Sequence, residues 1–405
     1  MEYNHPLPEL EPKVLAVKLS AVGERSVRSE HPWIFSDSIE KLNKEGHPGD
    51  VCVIFSHTKN KPLGIGLFDP KSPIRIKMLH FGGGAKLDSS FFEAKIHKAY
   101  ALRLELLETD TNSYRLIFGE NDGFPGLIAD VYAEVLVLKL YSDIWLPYLK
   151  LILPILIETS KAKTVVLRLS RNLQRLKLAL TDGMVIYGLL ENETVLFKEH
   201  GIQFSANVIK GHKTGYFLDH RENRRQVGRM AKNKTVLDVF AYAGGFSIHA
   251  LMGGAREVTS LDISAQALEV AKENAALNTY TGKHLTIVGD AFTEMERLIS
   301  EGKKYEIVVI DPPSFAKKAS EVEVAKKKYT QLAYLGIALT KKGGMLVLAS
   351  CSSRVRADEF FEINAKALNE CGRKFDTKNR TQHDIDHPVG FTEGAYLKCG
   401  YYKLD

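Results

Sequence analysis

The stretch TVLDVFAYAGGFSIHALMGGAREVTSLDIS, Thr235 to Ser264, carries the pattern that decides the fold. TVLDVFA reads as a short apolar strand, AYAGGFS as a glycine loop, FSIHALMGG as a helix and EVTSLDIS as a second strand. The rhythm continues downstream. AQALEVAKENAALN, TEMERLI and AKKKYTQLAYLGIAL read as helices between the strands LTIVGD, YEIVVIDPP and GMLVLAS. ADEFFEINAKALNE is a last helix, and KFDTKNR and YLKCGYYKLD are closing strands. Strands that alternate with helices require a parallel sheet covered on both faces.

Upstream the pattern differs. From Lys13 to His80, VLAVKLS and VCVIFS are strand-like and HPGD and NKPLG are turns. The glycine run FGGGAKLD, Phe81 to Asp88, suggests a boundary, and SSFFEAKIHKAYALRLELL after it reads as a helix. LIADVY and VLVLKLY read as a hairpin, and β-pattern runs from MVIYGLL to FSANVIK.

The 405 residues exceed one ordinary core, so two or three domains are expected. With 44% apolar and 26% charged residues the chain is globular. A net charge of +6 suits a polyanionic partner without defining one. The four cysteines, Cys52, Cys351, Cys371 and Cys399, are scattered, and no CxxC pair points to zinc or any other metal. MEYNHPLPELEPK lacks the apolar core of a signal peptide. IWLPYLKLILPILI is broken by Lys150 and two prolines and reads as a buried helix, not a membrane span. A soluble cytoplasmic protein is expected.

The chemistry gathers at the strand ends. Gly244 and Gly245 allow a sharp turn and close approach of a ligand. The loop is neither GxGxxG nor a Walker motif, which argues against NAD and ATP. Asp238 precedes it, Asp262 ends the second strand and Asp290 ends the third. Three carboxylates at successive strand ends suit a nucleoside with a positive centre and suit a pyrophosphate poorly. S-adenosylmethionine (SAM) is such a ligand, although each Asp taken singly could be a helix cap.

DPPSF ends the fourth strand, and its prolines force the backbone out of the sheet. That places Asp311 to exchange hydrogen bonds with the amino or ring-nitrogen edge of a base. Cys351, in ASCSSRV, ends the fifth strand. A thiolate there could attack C6 of a pyrimidine and make C5 nucleophilic enough to accept a methyl group. The plainer alternative is a small, partly buried thiol. Arg221, Arg224 and Arg225 in HRENRR could bind phosphates or form a solvated face.

GHKTGYFLDHRENRR, LDVFAYAGGFSIHA, LDIS, GDAF, DPPSFAK and SCSSRV occur in an order that resembles the bacterial 23S ribosomal RNA (cytosine-C5)-methyltransferases with an N-terminal PUA domain. FGENDGFPGLIADVY and DHPVGFTEGAYLKCGYYKL extend the resemblance over nearly the whole chain. It implies a PUA RNA-binding domain at residues 1–85, a small α/β central domain at 86–205 and a Rossmann-like, seven-stranded SAM methyltransferase domain at 206–405. It implies 5-methylcytosine formation in 23S rRNA or a large-subunit precursor, with Cys351 as nucleophile and Asp311 beside the base. Cofactor contacts fall on Phe217, Asp219, Arg221, Asp238, Tyr242, Gly244, Asp262, Ile263, Asp290, Ala291 and Asp311. RNA contacts fall on Arg224, Arg225, Pro312 and Phe315. A homodimer is left open, and no membrane partner is expected.

Two other functions compete. DPPSF is one residue from the DPPF/DPPY pattern of amino-group methyltransferases, where Phe315 would stack on a flipped base beside Asp311. The chain could also be a SAM-dependent RNA-binding assembly factor, for which Cys351 would have no use.

Overall fold

The computed structural model describes residues 2–57, 60–176 and 178–405. They form two compact units: Met1–Lys198 with Ser205–Leu218 and Ile385–Thr392, and Glu199–Phe204 with Asp219–Asp384 and Glu393–Asp405.

The first unit holds two sheets. A six-stranded sheet runs from Val14–Leu19 to Ile74–Phe81, and a five-stranded sheet from Ser113–Phe118 to Met184–Tyr187. The expected hairpin is present, with Leu127 opposite Leu140 and Tyr132 opposite Val135. The first sheet ends at Phe81, where the glycine run Phe81–Asp88 begins. Leu67 and Leu79 of the first sheet share one apolar cluster with Phe92, Ile96 and Trp145, and a shared core holds both sheets together. The apolar run around Pro147 and Pro154 is a 3-10 turn, Asp143–Tyr148, followed by a helix, Leu149–Ser160. Among the described residues no helix is long and apolar enough to cross a membrane.

The second unit is built on a seven-stranded sheet. Its strands are β1 (Thr235–Val239), β2 (Glu257–Asp262), β3 (Lys283–Val288), β4 (Tyr305–Ile310), β5 (Thr340–Ser350), β6 (Phe375–Thr381) and β7 (Lys398–Leu404), in the order 3-2-1-4-5-7-6. The first five are parallel, and β7 is antiparallel to both β5 and β6. Helices α1 (Arg221–Met230), α2 (Gly245–Met252), α3 (Ala265–Ala276), α4 (Ala291–Ser300), α5 (Val322–Leu339) and α6 (Ala357–Glu370) accompany it. Leu237, Val239, Val308, Ile310, Leu346 and Leu348 are buried in one cluster with residues of α4, α5 and α6, which explains why these strands are almost continuously apolar. The strand order reverses between β1 and its two neighbours. Such a switch point opens a crevice at the carboxyl ends of the strands.

A buried ion cluster fixes α1 and α2. The Glu199 carboxylate is fully buried. Arg224 donates to it from Nε at 2.8 Å and Nη2 at 2.6 Å, and His249 Nε2 lies 2.8 Å away. Arg221 Nε stands 4.0 Å off, itself buried. Burial alone would raise the Glu199 pKa. The charge of Arg224, with hydrogen bonds from His249 and Arg224, outweighs it and holds the group well below the usual carboxylate range. A carboxyl group depressed on folding contributes stability above its unfolded pKa of about 4.3, and that stability is lost as pH falls through the folded value. Acid melts should therefore show the transition temperature falling below about pH 4, and the Glu199→Gln protein should lack this part of the dependence. Glu199→Gln should also cost about 3–5 kcal/mol in urea denaturation, because it leaves Arg224 buried without its counter-charge.

Candidate active site

β1 ends at Val239, and the chain turns back sharply to enter α2. Phe240 and Tyr242 take left-handed backbone angles, φ +66° and +48°, which side chains seldom adopt. Strain of this kind collects where a loop has to be shaped for a ligand. Gly244, φ +79°, caps α2, and a Cβ there would lie 2.9 Å from the Ala271 Cβ. The loop is thus packed tightly against α3, with no space for a larger residue.

Carboxylates hold the loop. Asp238 Oδ2 accepts from the Ser247 amide at 3.0 Å and its hydroxyl at 2.7 Å. Its Oδ1 is buried with no hydrogen-bond partner, and no cation among the described residues pairs with it. Burial pushes the Asp238 carboxyl up to about 7 despite the Ser247 bonds, and the charges of Asp311 and Asp262 add to the rise. Asp262 Oδ2 accepts from the Tyr242 amide and Oδ1 from the Ser264 amide, each at 2.9 Å. Asp290 caps α4 by accepting from the Thr293 amide and hydroxyl, both at 3.1 Å. The capping role is therefore real for Asp290, and its other oxygen remains at the exposed surface. The charges of Asp262 and Asp311 acting on a buried Asp238 with an unpartnered oxygen fit a cationic nucleoside such as SAM. Ile263, 73% exposed just past Asp262, offers an apolar surface of the kind an adenine ring can cover, and Ala291 is buried at the start of α4.

Asp311 follows β4, and Cys351 follows β5. β4 and β5 pair in register, with Ile310 opposite Leu348, so the two segments leave the sheet side by side. Asp311 has a side chain 23% exposed, with His220 Nε2 at 3.3 Å from its Oδ1. Burial lowers the His220 pKa, but the charge of Asp311 beside it outweighs this and raises it overall. Asn223 Nδ2 reaches His220 Nδ1 at 3.0 Å. Cys351 is half-buried, its Sγ 3.7 Å from the Pro312 carbonyl. The thiol is therefore neither sealed in the core nor remote from Asp311.

Several expectations are corrected. Arg224 is 3% exposed and gives both ends of its guanidinium to Glu199, so it does not face RNA. Arg221 is buried in the same ion cluster, its Nε 4.0 Å from Glu199. Of the three arginines, Arg225 keeps the most exposure, with Nη1 3.3 Å from Glu222. Pro312 is buried and offers its carbonyl to Cys351 instead of a ring to RNA. Phe315 packs on Tyr329 with centroids 5.2 Å apart, and the Lys328 ammonium sits 5.0 Å over its ring. The ring is half-buried. Asp219 accepts from the Tyr396 hydroxyl at 2.8 Å, and Phe217 belongs to the first unit.

Sequence reading missed Glu199, His220 and Lys398. His220 lies inside the quoted DHRENRR run, but only the folded chain brings it to Asp311. Glu199 and Lys398 sit in strand-like segments without a motif.

A parallel sheet with a switch point, a strained glycine loop and acids at successive strand ends define a SAM-dependent methyltransferase. The comparisons agree. A family model described as S-adenosylmethionine-dependent methyltransferase matches residues 159–375, and a PUA-like domain model matches residues 17–81. The chain belongs to this methyltransferase family. It is 42% identical to a ribosomal RNA large subunit methyltransferase of Deinococcus radiodurans over 96% of this chain and 98% of that one. It is 34% identical to ribosomal RNA large subunit methyltransferase I of Shewanella frigidimarina, over 95% and 98%. Among solved structures, a Streptococcus mutans chain assigned to the SAM-dependent methyltransferases superposes with TM-score 0.80 at 21% identity, covering 96% and 99%. A methyltransferase complexed with SAH gives 0.81 at 22%, covering 96% and 100%. At that identity the likeness speaks for the fold.

Calorimetric titration with SAM should show affinity rising as pH passes upward through about 7, because only the ionised Asp238 carboxylate attracts a cation. Asp262→Ala should weaken SAM binding by roughly tenfold or more, since it removes a charged hydrogen-bond acceptor and two loop anchors. Unchanged affinity in the same titration would place the ribose elsewhere.

Proposed function

We propose that the protein methylates C5 of a cytosine in 23S rRNA or a large-subunit precursor, through a covalent bond between Cys351 and C6. The observation that carries this reading is the half-buried Cys351 thiol leaving β5 beside Asp311 and the Pro312 carbonyl at the end of β4. The large-subunit rRNA substrate is supported by the names of the Deinococcus and Shewanella relatives.

Cytosine C5 is a weak nucleophile. Addition of the Cys351 thiolate to C6 converts it to an enamine-like carbon. Bound at the strand ends, SAM supplies an electrophilic methyl group. Asp311, oriented by His220, is placed to hold the amino or ring-nitrogen edge of the base while the thiolate adds. Loss of the C5 proton to a base then expels Cys351 and restores the aromatic ring. A paired cytosine cannot present C6 to a thiol, so the target lies in a loop or is flipped out of its helix. The PUA-like region, residues 17–81, and Arg225 are the RNA-binding parts of this reading.

The amino-group alternative loses support from Phe315, whose ring is taken up by Tyr329 and Lys328. A pure binding factor would leave the strand-end thiol without a role. With RNA carrying tritium at cytosine C5, turnover should release tritium to water in step with methylation. Cys351→Ala should abolish both, a loss of at least about a thousandfold for removal of a nucleophile. Retention of all the tritium during turnover excludes C5, and full activity of Cys351→Ala supports the amine reading.

A further inference from the structure

β7 begins at Lys398, and its register with β5 sets Lys398 opposite Ser350, the residue before Cys351. The Lys398 side chain is 2% exposed. Its Nζ donates to the carbonyls of Ser352, Val355 at 2.5 Å and Tyr396 at 3.1 Å. Two of these three acceptors belong to the loop that follows the thiol. Among the described residues no carboxylate forms an ion pair with it. An ammonium buried without a counter-ion is costly, and a neutral side chain would fill the same space at less expense. A group of this kind calls for an anion nearby that is not a carboxylate.

We propose that Lys398 is a positioning residue for Cys351: it clamps the loop behind the thiol and, as the ammonium, holds a positive charge against the thiolate. The inference rests on the reading of Cys351 as the nucleophile. Burial pulls the Lys398 pKa down to about 8, while Cys351, and after it Glu359, act to raise it. The attraction is mutual, so the ammonium that a thiolate stabilises also stabilises the thiolate. Asp311, Tyr329 and Glu359, the other titratable groups named at this corner, carry no positive charge. Asp311, from the end of β4, is an acid, and like charge opposes a thiolate. His220 lies against Asp311. Tyr329, from α5, donates no cation, and burial pushes its hydroxyl up to about 12. Glu359, from α6, carries the same sign as Asp311 and is paired with Lys326. Tyr396 gives its hydroxyl to Asp219. Lys398 thus supplies the positive charge that lets an anionic sulfur persist near Asp311.

The test is the pH profile of Cys351 alkylation by iodoacetamide in the full chain, read at the Cys351 peptide by mass spectrometry. The wild-type midpoint should lie below about 8.5, the value of a free cysteine. Lys398→Gln keeps a donor for the loop carbonyls and removes the charge. Its midpoint should rise by about one pH unit, making alkylation at pH 7 about tenfold slower, with a far-UV spectrum like that of the wild type. A loss of loop order alone would expose the thiol and speed alkylation at high pH without moving the midpoint. The proposal is overturned by a Lys398→Gln profile that superposes on the wild type. It is equally overturned by a wild-type midpoint at or above about 8.5, which needs no variant to fold. Failure of the C5 reading appears separately, as retained tritium with the midpoint still low. A thiol that traps 5-fluorocytidine RNA while the two profiles coincide removes only the role of Lys398.

Discussion

The second unit depends on a carboxylate withdrawn from water. Glu199 is surrounded by Arg224, His249 and Arg221, and this contact ties α1 and α2 to the segment Glu199–Phe204. The consequence reaches the chemistry through His220, the residue immediately before α1. With Arg224 anchored one turn into the helix, the helix start is fixed, and His220 can meet Asp311 at 3.3 Å. A buried pair of this strength is a poor source of net stability, since desolvation consumes most of the attraction. What it provides is a single orientation for the helix that begins beside the site.

The strand ends show a related conflict. The charges of Asp311 and Asp262 raise the proton affinity of the buried Asp238, and among the described residues no group hydrogen-bonds its Oδ1. In a domain selected only for stability, such a cluster would be replaced by neutral residues. We propose that the positive charge of SAM relieves this repulsion on binding, as expected for a buried polar group left incomplete at a functional site.

The sheet was readable in the sequence because buried parallel strands leave continuous apolar runs and their helices leave a period near four. The strand-end positions of the aspartates and of Cys351 were readable because they lie where those apolar runs stop. Two arginines were misread. HRENRR looks like a solvated face, and nothing local reveals that Glu199, some twenty residues upstream, draws Arg221 and Arg224 inward. These misses share one cause: long-range partners decide them, and periodicity carries no information about partners. Lys398 is the extreme case, because its neighbours are fixed by an antiparallel strand slotted in beside a parallel one.

That slot has a bearing on the order in which the molecule matures. β7 follows β6 in the chain but lies between β5 and β6 in the sheet. During synthesis the glycine loop, the aspartates and the cysteine all emerge before the strand that completes their scaffold. A partly made chain can assemble β1 to β5, but the edge of β5 stays open and the thiol has no ammonium behind it. Under the role proposed for Lys398, the sulfur therefore reaches its final surroundings only when the sheet is closed.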